Sequence, residues 1–164
     1  MRLRSHPFVL RAGPRALRHV REHGLAPGDI GSLPAAAGGP KGLALLPLDR
    51  LLLRHGWLPP GRPLELVGAS IGAWRATALA QQDAAAALDR VQHAYVRGQN
   101  YPPRPTPAEI SASCRGIARA ARGDGALQLR PGVTLGIVTA RARGPLHGRE
   151  SKLAFGRAVL SNTV

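Results

Sequence analysis

The residues best suited to chemistry are Gly68-Ala69-Ser70-Ile71-Gly72, a G-x-S-x-G set between the apolar run Leu64-Glu65-Leu66-Val67 and the helix-forming run Ala73-Trp74-Arg75-Ala76. A serine on a strand-to-helix turn has its hydroxyl pushed clear of the backbone. The flanking glycines permit the close packing and unusual dihedrals of such a turn. A helix starting at Ile71 would also aim the positive end of its dipole at the serine, favouring an alkoxide or oxyanion there. Upstream, Gly38-Gly39-Pro40-Lys41-Gly42 is a glycine-rich loop with backbone donors at Gly38, Gly39, Lys41 and Gly42 and none at Pro40. An exposed nucleophile and donors for a developing oxyanion together suit acyl transfer.

Other readings of the same residues stand beside this one. A nucleotide-binding P-loop needs Ser or Thr after G-x-x-x-x-G-K, whereas Gly42 and Leu43 follow Lys41. The loop could be a plain strand-to-helix turn, and a G-x-S-x-G can arise by chance in a chain with 20 glycines. The strand–turn–helix order around Ser70 favours the nucleophile reading. Lys41 could add positive charge beside the oxyanion or seat an anionic headgroup.

The elements that must position these residues follow from periodicity and breakers. Phe8-Val9-Leu10 reads as a short edge strand. Pro14 opens a helix through His23, stopped by Gly24, with Leu17 and Val20 as its apolar stripe. Ile30 to Ala37 reads as a strand running into the glycine loop, and Gly42 to His55 as a Leu-rich helix ended by Gly56. Pro47 should kink that helix unless it begins later. After the rigid turn Pro59-Pro60-Gly61-Arg62-Pro63, Leu64 to Gly68 reads as a buried strand. Helices are expected over Ile71 to Gln82, Ala84 to Arg97 and Ala108 to Arg122, with the proline-rich 101–107 as an exposed connector. Val133 to Ala140 reads as a strand and Ser151 to Val164 as a helix. Strands alternating with helices predict an α/β layer architecture with a mainly parallel sheet in one domain.

Composition narrows the classes. The 164 residues suffice for one domain with a core. No apolar run approaches the ~18 residues that span a bilayer, and no secretory signal follows Met1, so a cytoplasmic location is expected. One cysteine, Cys114, makes no internal disulfide, and no ligand spacing suggests a metal or cofactor. The net charge of +14 is nearly all arginine, with Lys41 and Lys152 the only lysines. It would attract anionic lipid headgroups or phosphates. The arginines are scattered and aromatic stacking residues are scarce, which argues against specific nucleic-acid binding. Heavy use of Arg, Ala, Gly and Pro also fits the coding bias of a GC-rich genome.

Taken together, Ala36-Ala37-Gly38-Gly39-Pro40-Lys41-Gly42 and Gly68-Ala69-Ser70-Ile71-Gly72-Ala73 resemble the patatin-like phospholipases. The resemblance is specific from Arg11 to Gly72; from Ala73 to Val164 it rests on the alternation of helix and strand. It implies a three-layer α/β fold, Ser70 as nucleophile, and Gly38, Gly39, Lys41 and Gly42 as the oxyanion loop. The implied reaction is hydrolysis of a lipid acyl ester through an acyl-serine intermediate; no cofactor is expected, and the positive charge would allow peripheral contact with anionic membrane. In that family an aspartate in a downstream D-G-[GA] motif completes a Ser–Asp dyad. Asp124-Gly125-Ala126 matches its letters but follows Ser70 closely, in a turn after a helix and before the Val133 strand. The expectation is therefore that these residues are the N-terminal part of the domain and that Asp124 is a helix-stop turn. A non-catalytic homologue that at most binds anionic lipid is the alternative. His93 and His147 are the histidines a Ser–His–acid triad would draw on, His147 being better placed in its loop. Cys114 reads as a packing residue, and the remaining acids, Asp49 among them, as residues of helix surfaces or connectors.

Overall fold

The computed structural model of the chain describes residues 11–140. The Phe8-Val9-Leu10 strand, His147 and the helix expected over Ser151 to Val164 lie outside these residues. Helix α1 (Pro14–His23) opens on Pro14 and closes where Gly24 takes φ +78°, as the Pro-in, Gly-out pattern predicts. A short 3-10 turn (Pro27–Asp29) leads to strand β1 (Ser32–Ala35), shorter at both ends than the sequence suggests. Strand β2 (Leu64–Ala69) and strand β3 (Val133–Val138) complete a three-stranded parallel sheet in the order β1-β2-β3. The class is α/β.

Register carries the core across the sheet. Leu33 pairs with Leu66 and Leu66 with Leu135, so three leucines lie on one face. Leu66 is fully buried there, worth about 1.5–3 kcal/mol relative to exposure. Helix α3 (Ile71–Leu79) packs on this face, and α4 (Ala84–Gly98) and α5 (Pro107–Arg122) pack on α3 and on each other. Being covered from both sides, α3 buries nearly every residue and is apolar all round apart from Arg75 and Thr77. Its small side chains (Ala73, Ala76, Ala78) let its neighbours approach closely. The opposite sheet face exposes Ser32, Pro34, Glu65, Thr134 and Val138.

The peripheral helices begin at side-chain caps. Asp83 accepts from Ala86 N–H at the start of α4. At α5, Thr106 and Glu109 form a reciprocal capping box, with Pro107 at the first helical position. The helix expected from Gly42 divides in two: a 3-10 stretch (Gly39–Leu45), then α2 (Leu46–Arg54). Pro47 causes no kink because it stands in the first turn of α2, where its missing N–H has no intrahelical partner to lose.

Candidate active site

Both chemistry-bearing motifs sit at the C-terminal edge of the sheet, where ligands of open parallel sheets bind. The glycine loop leaves the end of β1, and Ser70 follows the end of β2. Ala35 pairs with Gly68, so the two connections start side by side.

Between Ala69, which ends β2, and Ile71, which starts α3, the chain has a single residue in which to turn. Ser70 makes that turn at φ +53°, ψ −125°, and is the one non-glycine residue with positive φ among those described. Such a conformation costs about 1–3 kcal/mol and persists only where its surroundings dictate it. Ser70 is exposed, whereas Ile71 and Gly72 beside it are buried. The surroundings that dictate it are backbone. A Cβ on Gly68 would land on the Gly72 carbonyl, and one on Gly72 on the Ala35 carbonyl. The first turn of α3 thus rests on the end of β1 with no room for a methyl group.

The loop meets the elbow through Gly42, where an added Cβ would come 2.7 Å from Ile71 Cγ1. Gly42 is buried; Gly38, Pro40 and Lys41 are exposed, and Gly39 takes φ +54° to start the 3-10 stretch. With Gly38 as the cap of the 3-10 stretch, Lys41 N–H is its first i→i+3 donor, so the Gly39 N–H precedes the bonded donors and Pro40 has none. The N–H groups of Ile71 and Gly72 likewise have no intrahelical acceptor at the start of α3. Gly42 against Ile71 is the packing contact that sets the start of the 3-10 stretch beside the start of α3.

Below the elbow, Arg75 of α3 reaches Asp49 of α2 in a bidentate ion pair, Nε to Oδ2 at 2.8 Å and Nη2 to Oδ1 at 2.7 Å. Both residues are buried. This corrects the placing of Asp49 on a helix surface: hydrophobic periodicity cannot see an acid that is buried because a distant arginine neutralises it. Two signals were present in the sequence, an arginine inside the apolar α3 run and an acid in the first turn of α2. One helical turn past Ser70, Trp74 meets Tyr95 edge-on, ring centroids 5.9 Å apart. With Ile71, Leu43 and Ile117 they form a small apolar cluster under the elbow, and burial pushes the Tyr95 phenol above its ordinary pKa.

The other candidates are not brought to Ser70. Asp124 follows α5 in a polar cleft with Gln81, Asp83, Arg90 and Arg122, beyond the far end of α3. At 1.5 Å per residue, that end lies about 15 Å from Ser70. Gln81 anchors this end, donating to the Thr77 and Ala121 carbonyls and accepting from Arg90. His93 is exposed on α4, and Cys114 is half-buried on α5. The remaining described acids are engaged or exposed elsewhere. Asp29 pairs with His19 at 2.9 Å, Asp89 with Arg50 at 2.6 Å, Asp83 and Glu109 serve as caps, Glu22 is exposed on α1, and Glu65 is exposed as the second residue of β2. Backbone N–H groups hold two of them below the usual carboxylate range: Ala26 with help from His19 for Asp29, and Thr106 for Glu109. Among the described residues no acid or histidine hydrogen-bonds to Ser70.

Comparison with protein-family models, curated proteins and solved structures finds no match for this chain. Among the described residues, no helix is long and apolar enough to cross a membrane.

Proposed function

We propose that this protein is a serine acyl-ester hydrolase of the patatin-like type, with Ser70 as nucleophile and the Gly38–Gly42 loop as oxyanion loop. The observation that carries this reading is the strained elbow. The chain holds an exposed serine at positive φ, between two glycines that no other residue could replace, beside orphan backbone donors. A fold has no structural reason to maintain that combination. The sheet with its helical layer is then part of the three-layer patatin-like arrangement.

In the reaction, Ser70 Oγ attacks the carbonyl carbon of the ester and its proton passes to a general base. The carbonyl π electrons move onto oxygen, and backbone N–H groups of the loop and of the α3 N-terminus stabilise the resulting charge. Collapse of the tetrahedral intermediate breaks the ester C–O bond, and the alcohol leaves with the proton. Water then attacks the acyl-serine and releases the carboxylic acid. None of the acids placed by residues 11–140 is the base, Asp124 included.

A second reading, a non-catalytic homologue that binds anionic lipid, draws support from that same absence among the described residues and from the +14 charge. Ester turnover by the full-length protein separates the two. The hydrolase reading expects release of p-nitrophenol from short- and long-chain p-nitrophenyl esters, lost in Ser70→Ala. Salt-sensitive binding to anionic vesicles with no turnover would replace it with the second reading.

A further inference from the structure

The hydrolase mechanism has no use for the buried ion pair of Arg75 and Asp49. We infer that they are positioning residues, a clamp that fixes the glycine-rich loop against the Ser70 elbow. The inference rests on the hydrolase reading for its consequence in reactivity, and on geometry alone for the clamp itself.

Placement is the first argument. Arg75 stands five residues after Ser70 on the helix that carries the nucleophile. Asp49 stands in the first turn of α2, into which the 3-10 stretch begun at Gly39 runs without a break. The two bonds of the pair therefore join the element behind the loop to the element behind the elbow. A planar guanidinium on a carboxylate fixes orientation as well as distance. The side chains are 7% and 2% exposed, so water does not compete for either partner.

The loop itself is the second argument. Gly38, Pro40 and Lys41 are exposed, and an added Cβ at Gly39 would meet nothing within 4 Å. The 3-10 stretch meets the elbow through Gly42 against Ile71 and Leu43 in the cluster beneath it, van der Waals contacts without direction. The directional link from α2, into which the loop runs, to α3 is the ion pair.

Energetics is the third. A buried ion pair is a poor way to gain stability, because a well-packed apolar pair of similar volume does as well or better. The surrounding core is alanine and leucine, and the chain has only nine acids. Placing one of them here is intelligible if geometry, and not stability, is what the pair supplies.

The test uses the full-length protein and the double variant Asp49→Leu/Arg75→Met, which replaces the pair by apolar side chains. Two quantities are read: hydrogen exchange in peptides covering residues 36–46 relative to α4, and the inactivation rate and affinity for a fluorophosphonate at Ser70. The clamp predicts native protection in α4 with faster exchange in the loop. It also predicts a maximal inactivation rate lower by about 10²-fold, as expected for a misplacement of order 1 Å, at little-changed affinity. Unchanged loop exchange in the folded double variant overturns the clamp. Faster loop exchange with an unchanged inactivation rate overturns its link to reactivity. If the double variant does not fold, Arg75→Lys, which keeps the charge and loses the bidentate fork, is read by the same two criteria. A wild-type protein that is never labelled refutes the hydrolase reading, and exchange alone then decides the clamp.

Discussion

The two ends of α3 are built on different rules. At its N-terminus, Ser70 is held at positive φ and Gly68 and Gly72 touch backbone where a methyl group has no room. At its C-terminus, Gln81 satisfies ordinary hydrogen bonds, Asp83 caps the next helix, and Gly125 of the D-G-A letters has open space around it. One end stores strain and orphan donors; the other satisfies its polar groups and relaxes into a turn. Two short motifs that match in their letters alone are thus separated by backbone physics. A motif has functional weight where the fold bears a cost to maintain it.

The comparison can be broken most severely at Gly72. Gly72→Ala drives its methyl group into the Ala35 carbonyl, with backbone on both sides and no flexible side chain to yield. A loss of about 4 kcal/mol or more is expected, in the range of the most damaging single substitutions, read as a collapse of the urea midpoint. At the relaxed end, Gly125→Ala meets only the penalty of φ +81°, about 1 kcal/mol. Equal losses at the two positions would contradict the contrast.

Charge offers the next contrast. Arg75→Met leaves Asp49 buried without its partner and should cost about 3–5 kcal/mol. Arg50→Met removes the neighbouring pair with Asp89, whose side chain is 68% exposed, and should cost no more than about 1 kcal/mol. Thermal denaturation of the two variants reads the difference directly.

Ser70→Gly sharpens the account of strain. Releasing the positive φ should raise stability by about 1 kcal/mol, part of the strain being offset by the greater entropy of an unfolded glycine. Reactivity should vanish in the same variant. A destabilised Ser70→Gly would mean that the conformation carries no strain.

The smallest effect lies far from the elbow, at the capping box of α5. The Glu109 carboxyl is held below its ordinary pKa by Thr106, so its contribution to stability is present above that ordinary value and is lost as pH falls through the lowered one. Thr106→Ala should cost about 1 kcal/mol at neutral pH and reduce the acid sensitivity of unfolding.

Much of this architecture was legible in the sequence because it depends on local rules. Helix α1 follows from its Pro and Gly, α5 from its glycine stop, though its start at Pro107 falls in the expected connector, and the parallel sheet from apolar runs alternating with helices. The elbow was legible because its glycines have a steric reason that holds in any such turn. Pro47 allowed for a helix beginning later than Gly42, but local rules did not supply the 3-10 form of Gly39–Leu45 before it. Nor could they supply the burial of Asp49, which depends on an arginine 26 residues away. Long-range pairing of this kind leaves no periodic trace.

The central claim, that the elbow exists to present a nucleophile, is tested most directly by treating the folded full-length protein with a fluorophosphonate and mapping the adduct by mass spectrometry. The account predicts a single phosphonylated peptide containing Ser70, absent after unfolding and absent in Ser70→Ala. A folded protein whose Ser70 stays unmodified, or whose adduct lies on another serine, would contradict it.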